Sequence, residues 1–87
     1  MKPLKYINKL VIYTIMEATV VEHFQRRNEI AGHSVVLSCS HIGKATGLKQ
    51  RRVFSLLNKS PRFVSVDGND IGYLGERYNF FSLADSQ

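Results

Sequence analysis

Arg51 and Arg52 stand side by side, preceded by Lys49 and Gln50. Each guanidinium is a planar fork of donors that matches a phosphate or the O6/N7 edge of guanine. A glutamine amide pairs in the same bidentate way with an adenine edge. Ser55, Asn58 and Lys59 follow on the same segment, and Lys44 and Arg62 flank it. From Ile30 to Val66 no side chain is acidic; Glu17, Glu22, Glu29, Asp67, Asp70, Glu76 and Asp85 all lie outside. A one-sign stretch is the electrostatic footprint expected for a polyanion. A charged helix face is also often merely solvated, so charge alone does not decide.

Other chemistry has little support. His23, His33, His41 and Cys39 match no zinc spacing, and structural zinc wants four ligands in local pairs. Glu17 and Glu22 are five apart on a predicted helix and diverge by about 140°, so they form no carboxylate pair. Gly68, Gly72 and Gly75 do not stand between a strand and a helix N-terminus, as a phosphate loop requires. We expect no enzyme activity, no metal, no cofactor and no small-molecule ligand. The single cysteine excludes an intramolecular disulfide and fits a reducing, intracellular location.

The elements that must position the basic residues come from 87 residues with net charge +5 and pI near 9.7. A hydrophobic fraction of 44% is ordinary for a folded chain. The charge favours an acidic partner and does not itself separate nucleic acid from an anionic membrane. The first apolar stretch is interrupted by Thr14, Glu17, Thr19 and Glu22, too polar to span a bilayer or serve as a leader. We expect one domain over residues 1–87 and no membrane association.

A long helix is predicted over 3–27, opened by Pro3 at an early helical position. Leu4, Ile7, Val11, Ile15 and Ala18 make one apolar stripe. Tyr6, Leu10, Tyr13, Val20 and Phe24 make a second, and Met16 adds to the remaining face. A helix apolar around most of its circumference is covered on more than one side. The first stripe is expected on the domain. Tyr6, Leu10, Tyr13, Met16, Val20 and Phe24 are expected at the interface with a second copy. Asn28 and Gly32 break the pattern.

Ser34-Val35-Val36-Leu37-Ser38 reads as a short strand. Ser38 or Ser40 is suited to cap a helix over about 41–46, which Gly47 closes. A second short helix covers about 49–59, and Pro61 stops it. Residues 62–66 and 77–83 read as a hairpin whose ten-residue loop is too long for a tight turn. The loop carries Asp67, Asp70 and Glu76, with Arg77 at its base.

The segment Ser40-His-Ile-Gly-Lys-Ala-Thr-Gly-Leu-Lys-Gln-Arg-Arg-Val-Phe-Ser-Leu-Leu-Asn-Lys-Ser-Pro-Arg-Phe-Val64 resembles a helix-turn-helix, and the hairpin after it resembles a wing. Residues 34–83 are thus similar to a winged helix-turn-helix domain, of the small stand-alone kind found in archaea, their plasmids and viruses, and to dimeric prokaryotic repressors. The resemblance implies an α+β fold in the order helix, strand, helix, helix, strand, strand, with the long first helix as an addition. It places Ile42 and Ala45 in the angle between the short helices, Gly47 in a left-handed turn position, Leu48 as a plug, and Val53, Leu56 and Leu57 inward. Gly43 departs from the alanine usual in such motifs; it weakens the helix by about 1 kcal/mol or permits a close backbone approach. Phe54 is expected at the core edge, packed under the hairpin. An exposed Phe54 would instead offer a thymine-methyl or protein contact.

The resemblance implies a sequence-specific double-stranded DNA-binding protein, a homodimeric transcription regulator whose helix 49–59 enters the major groove. Lys49, Gln50, Arg51, Arg52, Ser55 and Asn58 are then candidates for bases or nearby phosphates. Lys44, Lys59, Arg62 and Arg77 are candidates for phosphates. Two other readings stand beside it. One is a winged-helix protein-interaction module or a subunit of a transcription, replication or virion assembly. The other is a single-stranded nucleic-acid binder, which needs Tyr78, Phe80 and Phe81 as an exposed stacking platform.

Overall fold

A computed structural model describes residues 2–67 and 80–84, with side chains from residue 9 onward. The elements are α1 (Lys2–Ala31), β1 (Leu37–Ser38), α2 (Cys39–Thr46), α3 (Gln50–Lys59), β2 (Phe63–Val66) and β3 (Phe80–Leu83). The three strands form one antiparallel sheet in the order β1-β3-β2. The architecture is α+β, and its order is compatible with a winged-helix-like layout. No helix among the described residues is long and apolar enough to cross a membrane.

α1 runs four residues further than its pattern suggests. Asn28 does not break it: the Asn28 carbonyl accepts from the Gly32 N–H at 2.8 Å. Gly32, at φ +79, then ends the helix in the left-handed conformation that glycine adopts without a Cβ clash. The Asn28 side chain accepts from the Val35 N–H at 2.8 Å, so the chain leaving α1 is tied back to the helix. This explains why the strand expected over 34–38 shrinks to Leu37–Ser38, paired with Phe81 and Phe80.

Ser38 is the N-cap of α2; its hydroxyl accepts from the His41 N–H at 3.1 Å, and α2 therefore begins at Cys39. Gly47 closes α2 at φ 78, as the turn requires. The Thr46 hydroxyl donates to the Ile42 carbonyl at 2.6 Å. α3 stops at Lys59, before Ser60 and Pro61.

The inner angle between α2 and α3 differs from expectation at one place. Ile42 is fully buried there, but Ala45 is exposed. Gly43 occupies the angle instead. A Cβ on Gly43 would lie 3.1 Å from the Leu48 carbonyl oxygen and 3.6 Å from the Gln50 Cα. The glycine is thus a close-approach residue. Gly43→Ala is expected to forfeit its helix-propensity gain of about 1 kcal/mol and end about 1 kcal/mol less stable than wild type. A urea melt tests this; an alanine variant more stable than wild type would show that the turn moves freely.

The core lies between the C-terminal half of α1, the two short helices and the sheet. Val20 and Phe24 of α1 are fully buried with Val53, Leu56 and Leu57 of α3. The Phe24 and Phe63 rings pack with centroids 5.6 Å apart, tilted by 42°. Phe63 is buried and Val64 exposed, and Phe81 and Leu83 are buried, as one covered sheet face requires. Cys39 is also fully covered. Burial pushes its thiol up to about 11, so it packs as a small hydrophobe rather than a reactive group.

The long helix is rotated from its expected setting. Met16, Val20 and Phe24, expected against a second copy, are covered by their own chain. Tyr13 is half-buried and packs against the same core. Val11 and Ile15, expected on the domain, are 48% and 58% exposed, and Ala18 is exposed with them. Leu10 is exposed as expected. Period alone reveals two stripes and does not rank them. The large Phe24 meets Phe63 across the sheet, and that contact selects its stripe. The Tyr6 side chain lies outside the described residues.

Candidate nucleic-acid interface

α3 separates cleanly into two faces. Val53, Leu56 and Leu57 are buried, while Gln50, Arg51, Arg52, Phe54, Ser55, Asn58 and Lys59 are exposed. At about 100° per residue, Arg51 lies roughly 160° from Val53, and Ser55 and Asn58 lie within about 40° of Arg51. These three are the outermost positions. Arg52 and Lys59 fall on one flank, toward α1, where Arg52 and Lys59 line a groove with Ile12 and Tyr13. Gln50 and Phe54 fall on the other flank. The adjacent arginines therefore serve different directions, which adjacency in sequence does not reveal.

Phe54 is 44% exposed, in place of the covered position expected at the core edge. Val53 and Leu57 already fill the space toward the sheet, and a ring about 100° from Val53 falls outside it. Phe54 thus adds an apolar element to the flank of the polar face. The Asn58 amide donates to the Phe54 carbonyl at 2.8 Å. One N–H of the Asn58 amide is thus taken locally, which fixes the side chain and leaves its second N–H and its Oδ1 for a ligand.

α3 begins with Lys49 at the N-cap, which makes no side-chain cap hydrogen bond. Uncapped first-turn N–H groups next to a lysine suit a phosphate oxygen. Lys49, Arg51, Arg52 and Lys59 have no carboxylate partner among the described residues. Lys44 is exposed in the last turn of α2. Arg62 is exposed at the α3–β2 turn, where its carbonyl accepts from the Ala84 N–H at 2.8 Å. Arg77 and Tyr78 lie outside the described residues, as do residues 68–76 of the predicted loop and the stretch 77–79 of the predicted second hairpin strand. Phe81 is buried and Phe80 half-buried, so neither offers an open stacking face.

Two contacts have no clear trace in the sequence. Ser60, buried behind α3, donates its hydroxyl to Glu17 of α1 at 2.5 Å. His23 of α1 and His41 of α2 bring their Nε2 atoms to 3.3 Å. One ring must accept for the other to donate, so at least one is neutral. His23 is held below its ordinary value of 6.5, chiefly by burial, then by His41, Arg27 and Arg26. No group of three or more His, Cys, Asp or Glu among the described residues is placed to hold a metal ion.

The His23 shift carries a sign. The unfolded chain takes up a proton near pH 6.5 that the folded chain resists. The unfolded state then binds more protons, so stability falls as pH drops below about 6.5 and recovers above it. Thermal melts at pH 7.5, 6.5 and 5.5 should show Tm decreasing at the acid end. His23→Gln should flatten that part of the profile, and an unchanged slope would assign the effect elsewhere.

No protein-family model, curated protein or solved structure matches the chain.

Proposed function

We propose that the chain is a sequence-specific double-stranded DNA-binding protein of winged helix-turn-helix type, a homodimeric transcription regulator that places α3 in the major groove. The observation that carries this reading is the face of α3: an uncapped start, then Arg51, Ser55 and Asn58 outermost with Gln50 and Arg52 beside them, and no acid from Ile30 to Val66. In this reading Arg51 and Gln50 contact base edges. Lys44, Lys49, Arg52, Lys59, Arg62 and Arg77 contact phosphates and set the register.

The second copy is proposed on the outward stripe of α1. Val11, Ile15 and Ala18 face away from the core with Leu10 beside them, on a helix of 30 residues. A two-fold axis across this stripe pairs identical apolar surfaces, as an isologous dimer requires. Two α3 helices would then enter successive major grooves about 34 Å apart.

Fluorescence anisotropy of a random duplex pool, titrated at several salt concentrations, tests the DNA reading. Affinity should fall steeply and linearly on a log–log plot, with a slope equivalent to several displaced counterions. A folded protein that fails to bind at low salt would remove the reading. Sedimentation equilibrium of wild type and Ile15→Asp tests the dimer: the wild type should be dimeric and the variant monomeric.

The alternative, a winged-helix module within a protein assembly, draws on the exposed apolar band of α1. A protein that binds no duplex yet keeps a partner on that band would favour it.

A further inference from the structure

The N-terminal half of α1 stands beside α3 without closing onto it. Between them runs a groove formed by two adjoining depressions of about 380 Å³ each, which share Ile12, Met16 and Arg52. Its floor is apolar: Ile12, 46% exposed, with Tyr13, Met16 and Leu56. Its rim is basic on both walls, with Lys9 on α1 and Lys49, Arg52 and Lys59 along α3. None of these four cations has a carboxylate partner among the described residues.

We propose that this groove is a docking site for an acidic amphipathic helix of a partner protein. DNA satisfies cations but leaves an apolar floor in water, so the floor calls for side chains. Lys49 and Lys59 are ten residues apart, about 15 Å along α3. A single carboxylate headgroup reaches one or two of these cations; a helix with several carboxylates on its flanks reaches all of them. A third helix laid between two others, with apolar residues at i, i+3, i+4 and i+7, is the corresponding recognition mode. The groove borders the outward stripe proposed for the second copy at Ile15, which lines its Lys49 end, while its floor residues Ile12, Tyr13 and Met16 lie off that stripe. It shares Lys49, Arg52 and Lys59 with the proposed DNA contacts, so the bound partner and DNA compete.

The test is a display selection of random helical peptides on the wild-type chain, counter-selected on Ile12→Ser. The winning sequences should carry apolar residues at helical spacing, flanked by Asp or Glu. Anisotropy of a labelled winner should show at least a tenfold loss of affinity for Ile12→Ser and for Lys9→Glu, with circular dichroism showing both variants folded. Ile12→Ser should bind the duplex pool as wild type does, whereas wild-type failure on the duplex pool is the separate signature that the DNA reading is wrong. An absence of winners, winners without acids or helical period, or winners that bind Ile12→Ser equally well would overturn the proposal. So would loss of duplex affinity in Ile12→Ser, which would make the groove a DNA contact. A change of oligomeric state in Ile12→Ser would assign the groove to a second copy and overturn it likewise.

Discussion

Arg51→Ala should weaken binding to a duplex that the wild-type chain selects from the random pool by about 1–3 kcal/mol, roughly 5- to 150-fold, and relax the base preference at one position. Arg51 lies about 160° from buried Val53 and points straight out of the α3 face. Arg52→Ala should behave differently. Arg52 lines the flank groove with Tyr13 and Lys59, off the outermost line of α3, and in the proposed complex it meets the phosphate backbone. Its loss should weaken all duplexes about equally and lower the salt slope by about one. Competition assays with permuted sites, at two salt concentrations, separate the outcomes. Equal loss of specificity in both variants would mean that α3 meets the groove at another angle. Both residues are exposed, so neither change should move the stability by more than about 0.5 kcal/mol.

Phe24→Ala is the second large effect, and it acts on the fold. The ring is fully buried and packs on Phe63. Truncating a buried phenylalanine costs about 3–5 kcal/mol through lost transfer energy and the cavity left behind. An 87-residue domain has a total stability of only about 4–13 kcal/mol, from roughly 0.05–0.15 per residue. The variant should therefore unfold at much lower urea, and with a low starting stability it would be largely unfolded at 37 °C. Ile15→Ser on the other side of α1 should change the stability of the dilute monomer by no more than about 0.5 kcal/mol. A reversed ranking would mean that α1 turns its other stripe to the core.

That comparison marks where the sequence is readable and where it is not. The short helices and their turn are local: Ser38 caps, Gly47 adopts positive φ, and Val53, Leu56 and Leu57 repeat at helical spacing, so their identity shows in a few residues. The choice of stripe on α1 is not local. It depends on Phe63, distant in sequence, and both stripes satisfy the same periodicity. The strand expected over 34–38 shortens because one side-chain bond, from the Val35 N–H to Asn28, takes the chain before the sheet can. Gly43 and Ala45 exchanged roles because pattern does not say how near the turn backbone comes. Among the candidate contacts, which residues lie on the exposed face of α3 was legible. The division between Arg51 and Arg52 was not, since neighbours in sequence diverge by about 100° on a helix.

The Glu17–Ser60 contact joins α1 to the residue that ends α3. In the proposed dimer, two long helices joined at their flanks would each carry a reading helix fixed by this bond and by the core that α1 and α3 share. The distance between the two reading helices would then be a property of the long helices and not of a pliable tether. Such a dimer would work as a gauge: it would accept half-sites at one separation, and inserting a few base pairs between them would defeat binding even with every contacted base intact.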